Sequence, residues 1–187
     1  GVQRPSLTLH SGRVVASSKE YVVAMSPDGD AAALRDKRGR VRVVQLLNGR
    51  ASPFMKLPTK SDVFLAVSGF ATVGWEAKTR TFHRVQSWAG RDQGHYPVPG
   101  KGDPIAVTVA PDARHAAVVS TPKADGADTA WKLCVRLIPL GVEGPERKTC
   151  WQGTTSGDDV SLMGVQAVFT DDGEHVWVLA TSSWSIS

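Results

Sequence analysis

Short apolar runs alternate along this chain with clusters of Pro, Asp and Gly, and one such unit recurs. Val22-Val23-Ala24-Met25-Ser26-Pro27-Asp28-Gly29 runs from an apolar stretch into a tight polar turn. Ile105-Ala106-Val107-Thr108-Val109-Ala110-Pro111-Asp112-Ala113 and Val165-Gln166-Ala167-Val168-Phe169-Thr170-Asp171-Asp172-Gly173 repeat the pattern. Val63-Phe64-Leu65-Ala66-Val67-Ser68-Gly69 is a degenerate fourth copy. Asp28 and Asp112 lie 84 residues apart, twice 42, and Gly69 follows Asp28 by 41. A fixed period of this size is the signature of a repeat architecture. Asp112 to Asp172 is 60, so the third repeat carries about 18 extra residues. The turn-rich stretches 122–129 and 140–145 accommodate them.

Each repeat reads as four short strands. Asp and Gly tolerate the positive φ that a tight hairpin requires, so the repeated turn joins the first strand to the second. Second strands follow at Ala31-Ala32-Ala33-Leu34, Ala71-Thr72-Val73-Gly74-Trp75, Ala116-Ala117-Val118-Val119 and Val176-Trp177-Val178-Leu179-Ala180. Third strands alternate with period two, as in Arg40-Val41-Arg42-Val43 and Lys132-Leu133-Cys134-Val135-Arg136-Leu137. A short, weak strand falls at Arg13-Val14-Val15-Ala16, Pro53-Phe54-Met55-Lys56, His95-Tyr96-Pro97-Val98 and Lys148-Thr149-Cys150-Trp151. No segment has a convincing apolar period of 3.6, so the chain is expected to be all-β.

Four-stranded units with a Ser-Pro-Asp-Gly turn between their first two strands resemble the blades of a β-propeller of the WD-repeat kind. The stretch from Val22 to Asn48 carries the resemblance best. The Gly-His pair before the inner strand is missing, and Gln45-Leu46 stands where that family has Trp-Asp. Propellers of the periplasmic and peptidase-associated kind share the Pro-Asp-Gly turn without those pairs and fit equally well. The resemblance implies blades at roughly 13–47, 51–88, 94–139 and 146–187, with residues 6–10 a stray strand of a neighbouring blade. Units that start and stop in mid-blade suggest an arc of a larger ring, completed by further blades of a longer chain or by a second chain.

Composition changes this picture little. Of 187 residues, 41% are hydrophobic and 21% charged, enough apolar material for a core. The excess of Gly and Pro, 18 and 11, suits a protein of many turns. No apolar run is long enough for a membrane-spanning helix, and the start lacks a basic-then-apolar signal peptide. The net charge of +4 reads as a spread over strand faces and loops and argues for no particular partner. The basic run Arg35-Asp36-Lys37-Arg38-Gly39-Arg40-Val41-Arg42 has Arg40 and Arg42 on the outward face of a strand, with Arg35, Lys37 and Arg38 in the adjoining turn. It reads as a solvated surface, and no nucleic acid is expected.

Candidate chemistry is sparse. Cys134 and Cys150 are symmetric about Val142, so a hairpin centred there would set them face to face, at a separation a disulfide can span. The alternative is two free thiols in a reducing compartment; a bridge would point outside the cytoplasm. The five His show no metal spacing, and His115 and His175 stand at one repeated structural position, three residues after Asp112 and Asp172. Asp158-Asp159 and Asp171-Asp172 read as loop and turn acids. There is no nucleophile elbow and no phosphate-cradling Gly motif. No catalytic residue, cofactor or metal is expected. The six Trp are expected mostly in the core, with Trp88 and Tyr96 the best candidates for exposure.

The expected function is a non-catalytic scaffold for protein–protein interaction or regulation. Its expected partner-contacting loops are 89–95, with Trp88, Arg91, Asp92, His95 and Tyr96, and 122–130, with Lys123, Asp125 and Asp128. The alternatives are the propeller portion of an enzyme, peptidase-associated or substrate-gating, and a sensor ring fused to a kinase or nucleotide-driven effector.

Overall fold

A computed structural model describes residues 19–100, 102–121, 129–154 and 160–184. They fold into thirteen strands, with no α-helix among the described residues. The chain divides into two compact units, one of residues 1–98 with 111–113 and one of residues 99–110 with 114–187. The expected stray strand at 6–10 lies outside the described residues.

The first unit holds two antiparallel sheets. One is built from β1 (Glu20–Met25), β2 (Ala31–Asp36) and β3 (Val41–Gln45), in that order. Bridges from Val41 to Met55 and from Val44 to Ala51 extend it by a fourth, irregular edge. The other holds β4 (Asp62–Leu65), β5 (Ala71–Glu76), β6 (Thr81–Gln86) and β7 (Arg91–Pro97), again in chain order. β2 and β5 are covered on both faces. Ala31 and Ala33 pack with Val41, Val43, Val63, Leu65 and Val85 between the two sheets. On the opposite face Leu34 packs with Val44, Val22 and Leu46. Each fully buried Val contributes about 1.5–3 kcal/mol relative to exposure. In the second sheet Trp75 packs on its register partner Phe82, ring centroids 4.6 Å apart.

Two buried polar pairs sit in these layers. Glu20 is buried and accepts two hydrogen bonds from Arg42, at 2.6 and 2.8 Å. The two residues stand on β1 and β3, so the pair bridges across β2. The buried hydroxyls of Thr72 and Ser87 bond to each other at 2.8 Å.

The second unit holds a four-stranded sheet of β8 (Pro104–Val109), β9 (His115–Ser120), β10 (Thr129–Pro139) and β11 (Arg147–Thr154), and a hairpin of β12 (Val160–Phe169) and β13 (Val176–Trp184). β12 packs against β8, β9 and β10. Ala110, Ala117, Val119, Leu133, Val135 and Phe169 form the core there, with Val176 and Val178 against it.

The sheets are grouped one strand out of phase with the expected blades. The weak strands do not start a unit. The segment around 51–55 bonds to β3, β7 bonds to β6 and β11 bonds to β10, so each closes the sheet that precedes it. The connections on both sides of each weak strand are short, so either neighbour is within reach, and the backbone pairing decides which sheet it joins.

Candidate functional site

The repeated turn has one geometry at all four positions. The N–H of the last residue of each first arm donates to the carbonyl five residues on: Ser26 to Ala31, Ala66 to Ala71, Ala110 to His115 and Thr170 to His175, at 2.9–3.0 Å. The fourth residue of each turn, Gly29, Gly69, Ala113 or Gly173, has a positive φ between 53° and 75°. His115 and His175 therefore close hairpins, as their repetition implies. The carboxylate of Asp172 accepts from Thr170 Oγ1 and from the Glu174 N–H, which hold it below the usual range. It is spent on its own turn.

Asp28 goes further than its own turn. Its Oδ2 accepts from the Ser68 N–H at 2.7 Å and the Ser68 hydroxyl at 2.8 Å. Desolvation acts to raise its pKa. Hydrogen bonds from Ser26, Ser68 and Asp30 outweigh that and hold it at about 2. The turn of the first sheet is thereby tied to the turn of the second.

The expected loop 89–95 is not a loop. A turn at 87–90 leads into β7, an edge strand paired with β6. Arg91, Asp92 and His95 are exposed on that edge, and Tyr96 is half-buried with its hydroxyl donating to the Gln93 carbonyl. Trp88 is not the exposed residue expected. It packs on the core of the first unit, with the Arg50 guanidinium 5.5 Å from its ring. His95 stands opposite His83 in the β6–β7 register, ring centroids 4.7 Å apart. Glu76 lies 3.5 Å from His83 and Asp92 3.1 Å from His95. Burial first, and then His95, push the His83 imidazole below its usual range, with Glu76 and Asp92 pulling the other way. Among the described residues no three His, Cys, Asp or Glu are arranged to hold a metal. Lys123, Asp125 and Asp128, and the pair Asp158-Asp159, lie outside the described residues.

The tryptophans divide. Trp75 is in the core. Trp151 and Trp177, expected inside, are exposed. Trp177 (72% exposed) and its register partner Val168 (60%) share one face of the β12–β13 hairpin with Leu179 (62%). β13 is the counterpart of β2, β5 and β9, because each follows the repeated turn. Those three are buried on both faces, whereas β13 is covered on one only.

The basic run is only partly a solvated surface. Arg42 is held by buried Glu20, Arg40 by Asp36 at 2.8 Å, and Arg35 donates to the Ser61 carbonyl at 2.6 Å. Arg35 sits within β2 rather than in the turn. In the second unit Cys134 and Cys150 are register partners on β10 and β11, joined by a disulfide with Cα atoms 4.1 Å apart.

Antiparallel sheets whose first two strands are joined each time by the same turn define an all-β fold of the β-propeller class. Solved structures agree. The chain aligns over 95% of its length with Kluyveromyces marxianus Hsv2, a propeller protein, at a TM-score of 0.52 and 9% identity. It aligns over 91% of its length with hydrazine synthase of Kuenenia stuttgartiensis, at a TM-score of 0.51 and 14% identity. It spans 66% of the first of these chains and 47% of the second. Identities this low speak for the fold alone. No protein-family model matches the sequence, and no curated protein matches it.

Proposed function

We propose that this chain is a non-catalytic, WD-repeat-like arc of a propeller that works as an interaction or regulatory scaffold. The observation that carries the reading is the open apolar face of Val168, Trp177 and Leu179 on β12–β13. Contiguous exposed apolar surface of this kind marks a protein contact. Its occupant is a further propeller sheet, from a longer chain or a second chain, because the counterpart strands β2, β5 and β9 are each covered on both faces. The role of the acids Glu20, Asp28, Asp36 and Asp172 in turn and strand bonding fits a structural reading better than a catalytic one. The Cys134–Cys150 bridge supports a site of action in an oxidising compartment outside the cytoplasm.

Analytical ultracentrifugation tests the contact. The chain is expected to sediment as a dimer or larger at micromolar concentration, and Trp177→Ser/Leu179→Ser as a monomer. A stable, soluble monomer of the unmutated chain would overturn the reading.

A further inference from the structure

The positive charge of this protein is not spread. Residues 35–60 hold eight Lys or Arg and a single acid, Asp36, a net +7, so the rest of the chain is net −3. The fold gathers these charges further. The β2–β3 turn and the segment 53–61 run side by side: the Met55 N–H donates to the Val41 carbonyl and Arg35 to that of Ser61, both at 2.6 Å. Gly39 lies so close to Thr59 that a Cβ on it would sit 2.7 Å from the Thr59 methyl. Two adjoining depressions share Arg38, Gly39 and Thr59. One extends to Tyr21, Lys37 and Lys60, the other to Phe54, Lys56 and Leu57.

Internal partners account for only part of this charge. Arg35, Arg40 and Arg42 are engaged as described. The side chains of Lys37, Arg38, Lys56 and Lys60 are exposed, and none has a partner among the described residues. Like charges left unpaired around these adjoining depressions repel each other, and they attract an anion approaching from solvent. Apolar groups lie between them: Tyr21 is 43% exposed and Phe54 40%. One face of the Phe54 ring is taken by the Arg40 guanidinium, 4.1 Å from its centroid.

We propose that this surface binds an acidic protein segment in which Asp or Glu alternate with apolar residues. The carboxylates meet Lys37, Arg38, Lys56 and Lys60, and the apolar side chains lie against Tyr21 and the edge of Phe54. This rests on the scaffold reading and deepens it, with residues of the first unit, whereas the β12–β13 face belongs to the second. Loss of peptide binding with intact assembly, or the reverse, tells the two apart.

The test is fluorescence anisotropy with a labelled Glu-rich peptide carrying interspersed Phe. Binding is expected to weaken severalfold as salt rises from about 50 to about 200 mM, because exposed charges are screened over a Debye length of about 10 Å. Lys37→Glu/Lys60→Glu is expected to weaken it at least about tenfold, a loss of about 1.4 kcal/mol. Arg147→Glu/Lys148→Glu makes the same charge change on β11 and is expected to leave it within about twofold, a shift under ~0.5 kcal/mol. Circular dichroism checks that both variants are folded. Absence of binding, equal loss in the two variants, or tighter binding of an oligothymidine than of the peptide would each overturn the proposal.

Discussion

Gly69 and Gly29 occupy the same place in two copies of the repeated turn, with φ of 65° and 75°. Replacing either by Ala puts a side chain where left-handed backbone costs about 1 kcal/mol. The third copy tolerates this: Ala113 stands there at φ 53° and is buried. The surroundings separate the two glycines. A Cβ at position 29 meets nothing within 4 Å, whereas at 69 it would lie 2.7 Å from the Ala31 Cβ and 2.9 Å from Val43 Cγ1. Ala31 and Val43 are fully buried on β2 and β3, so one of the two sheets must shift. Overpacking of this kind costs about 1–3 kcal/mol. Gly29→Ala is therefore expected to cost about 1 kcal/mol and Gly69→Ala about 2–4 kcal/mol. Hydrogen exchange of the β2 and β5 amides in the native protein reads the stability of the first unit without interference from the second. Costs agreeing within about 0.5 kcal/mol, the usual scatter of a surface substitution, would refute the packing of this turn on β2 and β3.

Two further predictions concern the bridge and the Asp28 tie. Cys134 and Cys150 close a loop of 16 residues, and removing such a cross-link costs about 3 kcal/mol in the chain-entropy account. Reduction should lower the urea midpoint of the second unit, and alkylation of the unfolded, unreduced protein should add no label; two labels would contradict the bridge. The folded pKa of Asp28, about 2, lies below its ordinary value of 3.8. Its contribution is thus complete above about pH 4 and is lost as pH falls through about 2. Asp28→Asn should lose less stability between those limits than the unmutated chain, and parallel acid profiles for the two would argue against the Ser68 bonds.

How much was legible in the sequence depends on the range of the interaction. Alternation with period two and the Asp-Gly turns are local, and they determined the all-β fold and the apolar strands β2, β5, β9 and β13. The symmetry of Cys134 and Cys150 about Val142 is also local to one hairpin. It placed the two cysteines opposite each other, and their bonding followed from the structure. Which sheet a weak strand joins is not local. The segment around 51–55, β7 and β11 can pair forward or back with the same sequence pattern, and only the neighbour that captures their backbone groups decides. Exposure is not local either. Trp75 and Trp177 both sit on strands that follow the repeated turn, yet one lies in the core and the other in solvent. The period of two assigns a side chain to a face but does not say what covers that face. The charge of residues 35–60 could be counted from the sequence. Its meaning came from the tertiary structure, which buried Glu20 against Arg42, bound Asp36 to Arg40 and left Lys37, Arg38, Lys56 and Lys60 unpaired on one surface.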